Sequence, residues 1–277
     1  MALVTMKELL ERAKNNHRGI GAFSVGNMEM VKGAIQAAEE LDTPIILQIA
    51  EVRLKHSPLA LMGPMMVQAA KEAKVDVAVH LDHGLTMETV EKALELGFTS
   101  VMFDSSTYPF EENIEEVKRA VEYCHFYNVP VEAELGCLQG KEEDIVNEAD
   151  AKTDPDMVAD FVAQTGCDLL AVAVGNVHGL DIEPKVDLPL LEQISKISPV
   201  PLVMHGGSGI PFDIIQKARE FNLLKVNYGS DLRKAFVSTF GRAYEANHNA
   251  CSVIELSIEA VENVSEKAAE LVTIINS

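Results

Sequence analysis

Three histidines in this 277-residue chain stand where apolar runs end. They are His83 in Asp82-His83-Gly84, His178 in Asn176-Val177-His178-Gly179, and His205 in His205-Gly206-Gly207-Ser208-Gly209. A fourth run ends in Asn227-Tyr228-Gly229-Ser230-Asp231. Three neutral imidazoles drawn from separate segments can hold Zn2+ or a similar ion with one coordination position open, where a substrate carbonyl binds and is polarised. Asp82, beside His83, can move a proton in the same pocket. His80, two residues before Asp82, reads as a core histidine, with a role behind the ligands as the alternative. His17, His56, His125 and His248 have no such setting and read as surface or packing residues. The glycine-rich ends at 206–209 and 227–230 offer bare N–H groups suited to a phosphate dianion, or are simple turns.

These residues are useful only if the chain brings them to one place, and its periodicity supplies a way. Short apolar or β-branched runs recur at Gly21–Val25, Pro44–Ile49, Val75–Leu81, Ser100–Phe103, Pro130–Ala133, Leu169–Val174, Pro201–Met204 and Leu223–Val226. Between them lie stretches with helical apolar spacing, such as Met28–Leu41, Met87–Leu96, Ile114–Tyr127 and Met157–Thr165. Asp154-Pro155-Asp156 and Pro211-Phe212-Asp213 mark helix starts, while Gly97 and Gly166 mark helix stops. Strands alternating with helices imply a parallel sheet, and eight of them imply a closed (β/α)8 TIM barrel. In such a barrel the strand ends share one face, which is where active sites are built. The chain is expected to form a single domain over 1–277, with Leu232–Ser277 as a C-terminal helical extension that closes the barrel or makes an oligomer contact. Glu51–Met62 and Cys137–Thr153 are longer than minimal connections, and the second is either a lid or a solvated loop.

Composition narrows the partners. The chain carries 23 basic and 43 acidic residues, a net charge of −20, so it repels phosphodiester backbones and nucleic acid is not expected. No apolar run approaches the ~18 residues of a membrane span, and the N-terminus does not read as a signal peptide. Cys124, Cys137, Cys167 and Cys251 are scattered without a C-x-x-C pair, which fits reduced thiols and a cytoplasmic location.

His-Leu-Asp-His-Gly (80–84), Ala-Glu-Leu-Gly (133–136), Val-His-Gly (177–179), His-Gly-Gly-Ser-Gly-Ile-Pro (205–211) and Lys-Val-Asn-x-x-Ser-Asp-Leu-Arg (225–233) resemble the class II, zinc-dependent ketose-bisphosphate aldolases. Phe-Glu-Glu-Asn-Ile (110–114) and Thr-Asp-Pro-Asp (153–156) extend the resemblance over nearly the whole chain. It implies that His83, His178 and His205 hold the zinc and that Asp82 shuttles the C4 hydroxyl proton. Glu142, or its neighbour Glu143, would exchange the proton on the dihydroxyacetone phosphate carbon. Asp104 and Glu134 would take a second or displaced metal. Gly179, Gly206, Gly207, Ser208, Asn227, Tyr228, Gly229 and Ser230 would bind dihydroxyacetone phosphate, with a monovalent cation (Na+ or K+) nearby. The implied reaction is reversible cleavage of a phosphorylated ketose of the fructose or tagatose 1,6-bisphosphate type to dihydroxyacetone phosphate and an aldehyde, by a homodimer or homotetramer. Val253, Leu256 and Val261 are candidate subunit contacts.

The chain departs from the family pattern at three places. Phe23-Ser24-Val25-Gly26-Asn27 replaces Phe-Asn-x-Asn-Asn, Ala50-Glu51-Val52 replaces Ser-Glu-Gly, and Ser105-Ser106-Thr107-Tyr108 stands where Gly-Ser-His is common. All three are expected at strand ends facing the pocket, which leaves open an aldolase for another ketose phosphate or sugar-acid phosphate. A metal-dependent sugar-phosphate epimerase and a silent sugar-phosphate sensor are the other readings.

Overall fold

The computed structural model describes residues 2–15, 18–138, 140–142, 145–147, 151–249 and 252–276, with 140–142 and 145–147 described by backbone alone. Eight parallel strands close into a barrel in sequence order. They are β1 (Ile20–Ser24), β2 (Ile45–Ala50), β3 (Val77–Gly84), β4 (Ser100–Phe103), β5 (Val131–Leu135), β6 (Leu169–Val172), β7 (Leu202–Met204) and β8 (Leu223–Tyr228). Helices α1 (Met6–Asn15), α2 (Met28–Glu40), α3 (Leu59–Glu72), α4 (Met87–Glu95) and α5 (Phe110–Phe126) belong to the first half of the chain. The second half carries α6 (Pro155–Thr165), α7 (Leu188–Ile197), α8 (Phe212–Arg219), α9 (Ser230–Ala246) and α10 (Val253–Asn276). No helix among the described residues is long and apolar enough to cross a membrane.

Strand alternation divides the side chains into two sets. Ile45, Leu47 and Ile49 of β2, and Val77, Val79 and Leu81 of β3, join the core between sheet and helices. Ile46 and Ala78, one residue out of phase, face the interior and pack with Met6, Leu9, Leu10 and Ala13 of α1, which plugs the N-terminal end of the barrel. Further along the strands the inward positions turn polar: Gln48, His80, Glu132 and Lys225 are each fully buried. The barrel is therefore apolar at its N-terminal end and charged toward the end that carries the candidate site.

Several expectations of the sequence shift here. Asp82 and His83 lie within β3, not after it, and Asn227 and Tyr228 within β8. Asp154 caps α6 by accepting from the Asp156 N–H, and Gly166 ends that helix in the left-handed region at φ 71°. Pro211 precedes α8 without any side-chain cap bond. Glu51 begins a short 3-10 turn, and its carboxylate accepts from the Leu85 N–H at 2.6 Å and the Thr89 hydroxyl at 2.8 Å, anchoring the start of α4. The Cys137–Thr153 segment contains an antiparallel pair, Gly140–Glu142 with Ile145–Asn147, and Cys137 bridges to Ala151 at its base. α10 lies along α2, where Gly33 permits close approach: a Cβ there would sit 2.7 Å from Val264 Cγ1. Val261 is buried on that inner face, so it is not available for the subunit contact expected of it, whereas Val253 is 73% exposed.

Candidate metal centre and phosphate pocket

A backbone irregularity explains how neighbours in sequence reach one pocket. By strict alternation Asp82 faces into the barrel and His83 away from it. His83 instead adopts φ 42°, and the β3–β4 register shifts between Leu81 and Gly84. Such a left-handed non-glycine residue costs about 1–3 kcal/mol and persists where surrounding structure holds it. Gly84 follows because a Cβ there would meet the Met102 carbonyl oxygen at 2.6 Å. The result is that Asp82 and His83 both line the cavity.

His83 Nε2 and His205 Nδ1 lie 2.8 Å apart, and ligand atoms of His83, His178 and His205 all fall within 4.8 Å of one another. The nitrogens on the far sides of two rings are engaged. His83 Nδ1 meets Asp104 Oδ2 at 2.6 Å, and His205 Nε2 meets Glu132 Oε1 at 2.8 Å. Carboxylates behind two of the imidazoles fix ring orientation and tautomer, a setting that suits metal-bound imidazole. Burial and the neighbouring His83 push the His205 pKa below its ordinary value against the pull of Glu132. Burial also acts to raise Asp104, but hydrogen bonds and charge from His83, with help from Ser106, bring it down to about 2. A converging three-nitrogen donor set suits Zn2+. Asp104 and Glu134 form a second group with His83, again within 4.8 Å.

Asp82 is 2% exposed. Its Oδ2 accepts from Gln48 Nε2 at 2.8 Å and its Oδ1 from Asn227 Nδ2 at 3.2 Å, and Gln48 also donates to Ser24 Oγ at 2.9 Å. A carboxylate so oriented beside a metal site can take a hydroxyl proton. Gly179, Gly206, Ser208, Asn227, Gly229 and Ser230 complete the cavity wall, together with Ser24 and Arg233. The start of α9 and the Arg233 guanidinium, which donates to Ser230 Oγ at 2.8 Å, give this wall the features of an anion site.

Two of the expected phosphate contacts are not in that wall. Tyr228 lies one residue out of phase with Asn227, so its ring packs outside the strands on Phe23 at 6.1 Å between centroids. The Gly207 N–H donates to the Asn227 carbonyl at 2.9 Å, and a Cβ on Gly207 would meet Val226 Cγ1 at 2.4 Å, so this glycine serves close packing. Of the departures from the family pattern, Ser24 lines the cavity. Ala50 is fully buried in register with Asp82, and Ser105 is buried against Asn113, so neither forms part of the wall. The side chain of Glu142, all of Glu143, His17 and Cys251 lie outside the described residues.

Sequence reasoning passed over the support beneath the site. Glu132 Oε2 pairs with Lys225 Nζ at 2.7 Å, both fully buried. His80 is fully buried: its Nδ1 meets Ser100 Oγ at 2.9 Å, its Nε2 lies 3.7 Å from Glu132 Oε2, and burial drives its pKa well down. Burial alone would raise the Glu132 pKa, but the Lys225 ammonium and the His205 hydrogen bond hold it well below the carboxylate range. The signal was present as charges on apolar strands, Val-Glu-Ala-Glu-Leu and Leu-Lys-Val-Asn. Glu132→Ala would strand a buried ammonium and is expected to cost about 3–5 kcal/mol in urea unfolding. A loss under ~1 kcal/mol would show that Lys225 is not held as an ion there.

Comparison with known proteins agrees with the geometry. The profile of the family described as fructose-bisphosphate aldolase class-II matches residues 4–277. A fructose-bisphosphate aldolase of Thermus caldophilus is 42% identical over 262 residues, covering 85% of this chain and 86% of the relative. One from Geobacillus stearothermophilus is 40% identical over 240 residues, covering 85% and 84%. The crystal structure of the YdjI aldolase from Escherichia coli K12 superposes with a TM-score of 0.87 at 35% identity, covering 99% of this chain and 97% of that one. On this match over nearly its full length, the chain belongs to the class II fructose-bisphosphate aldolase family, whose general activity is zinc-dependent aldol cleavage.

Proposed function

We propose that residues 1–277 act as one catalytic barrel that cleaves a ketose 1-phosphate between C3 and C4, with His83, His178 and His205 holding Zn2+. The observation that supports this most is the convergence of the three imidazoles on one another in a cavity also lined by a buried carboxylate held by two amides. The ion, when bound, polarises the ketose carbonyl and stabilises charge that develops as the carbon–carbon bond breaks. Asp82 takes the C4 hydroxyl proton, and the C3–C4 bond breaks to release the aldehyde. Glu142 returns a proton to the carbon that becomes the hydroxymethyl group of dihydroxyacetone phosphate. Ser208, Ser230, Arg233 and the backbone at Gly179, Gly206 and Gly229 hold the phosphate, with Na+ or K+ as a companion cation. Asp104 and Glu134 hold a second or displaced ion.

The buried thiols Cys124 and Cys167, which form no disulfide, support a cytoplasmic setting. Exposed Val237, Tyr244, Val253, Ile254 and Ile258 on α9 and α10 support a homodimer or homotetramer. The test is a panel of ketose mono- and bisphosphates, fructose and tagatose 1,6-bisphosphate included, given to zinc-loaded protein with and without chelator. Chelator-sensitive release of dihydroxyacetone phosphate is expected. Isomerised sugar without triose phosphate would replace the aldolase with an epimerase.

A further inference from the structure

At the end of the barrel opposite the histidines, α1, α8 and the start of β8 frame a cleft of about 700 Å³. Lys14, Arg18, Lys217 and Arg219 line it, together with the carboxylates Asp213 and Glu220. Cations thus outnumber carboxylates four to two, in a chain whose net charge is −20. Lys217 Nζ lies 3.6 Å from Asp213 Oδ2, one turn back on α8. Among the described residues, no carboxylate pairs with Lys14 or Arg18. A basic last turn complements the negative end of any helix, and α1 and α8 each have one. That explains the charges one helix at a time. It does not explain why both ends meet on one cleft, nor Arg18, which lies three residues beyond α1.

The frame is fixed on both sides. The Arg18 N–H donates to the Ala13 carbonyl at 2.9 Å, and Gly19 is pressed against α10, where a Cβ would come within 2.6 Å of Ile275 Cγ1. On the other side Asn222 turns the chain from α8 into β8 at φ 56°, which asparagine tolerates better than most residues. Its Nδ2 donates to the Val200 carbonyl at 3.1 Å. The β7–β8 register then shifts between Leu223 and Lys225. Leu224, within that irregularity, packs with the α1 plug and also lines the cleft. Burial pushes the Arg219 pKa below its ordinary value, so an incoming anion would stabilise its charged form.

The geometry points to this cleft as a binding site for a small polyanion, a diphosphate or triphosphate group, free or carried by a nucleoside. Two guanidiniums and two ammoniums from separate elements suit several phosphate oxygens at once, the arginines as forks and the lysines as point charges. The volume is in the range of small-molecule sites. Asn227, at the other end of β8, lines the catalytic cavity, so the polyanion takes no part in the reaction there.

The test titrates inorganic pyrophosphate and adenosine diphosphate calorimetrically into the zinc-loaded protein at constant ionic strength, with bound zinc per chain checked afterwards. Lys14→Met and Arg18→Met are each expected to raise the Kd of one binding event about tenfold, the scale of one charge-assisted hydrogen bond. Glu220→Gln should lower it. All three side chains are exposed, so the variants leave the core intact. With pyrophosphate bound, hydrogen exchange should slow at the amides of residues 213–224 and around Arg18, which binding in the catalytic cavity would not produce. Tighter binding of adenosine diphosphate names a phosphate chain carried by a nucleoside, and equal or tighter binding of pyrophosphate a free one. No binding, an unchanged Kd in both methionine variants, protection confined to the catalytic cavity, or binding no tighter than that of sulfate would each overturn the assignment.

Discussion

His178→Ala is expected to abolish turnover, with a fall of about a thousandfold or more, because the lost metal chemistry is worth several kcal/mol of transition-state stabilisation. His178 is the informative ligand to remove. It is half-buried, on the segment between β6 and α7, whereas His205 engages the buried Glu132 and His83 engages Asp104. His178→Ala therefore removes a donor and leaves those pairs intact. His205→Ala additionally deprives Glu132 of its hydrogen bond and should cost fold stability as well. The measurement is bound zinc per chain by atomic absorption alongside kcat and thermal unfolding. Turnover retained at full zinc occupancy in His178→Ala would remove this histidine from the ligand set.

Asp82→Asn is the second large effect, a fall in kcat of about a hundredfold to ten-thousandfold, the range for losing a positioned general base. The amide keeps the size of the carboxylate but cannot accept the C4 hydroxyl proton. Its NH2 must also face Gln48 Nε2 or Asn227 Nδ2, both of which donate to the native carboxylate. The decisive comparison is with hydrogen exchange on dihydroxyacetone phosphate, the half-reaction assigned to Glu142. In Asp82→Asn that exchange should persist at normal zinc content while cleavage collapses. Equal loss of both would mean that Asp82 supports the metal site as a whole and is not a base for one step.

The two variants separate binding of the ion from movement of the proton, although the residues sit in one pocket. This separation is possible because the three imidazoles and the carboxylate are held by different supports. Asp104 backs His83 and Glu132 backs His205, while Gln48 and Asn227 back Asp82. The Glu132–Lys225 pair is the deepest of these supports and carries no expected contact with substrate. Its removal should appear first in stability and then in the orientation of His205.

Much of this was legible in the order of residues. Alternating apolar runs and helical stretches implied eight strands closing on themselves, and the polar residues at the run ends identified the rim that carries the site. Those features are local: period, run length and helix punctuation are properties of neighbours in sequence. Side-chain direction at the strand ends was decided elsewhere. Asp82 and His83 reach one cavity only because φ at His83 is positive, and Tyr228 leaves it because β8 continues two residues beyond Val226. The Gly207 N–H donates to the Asn227 carbonyl, a partner that its own loop does not reveal. The Glu132–Lys225 pair joins residues 93 apart, and the cation-lined cleft draws on α1, α8 and the start of β8. Sequence by itself determined the barrel and the kinds of chemistry its rim can support. Tertiary structure alone decided which face each rim residue shows, because that depends on where strand alternation is broken and on partners that only barrel closure brings together.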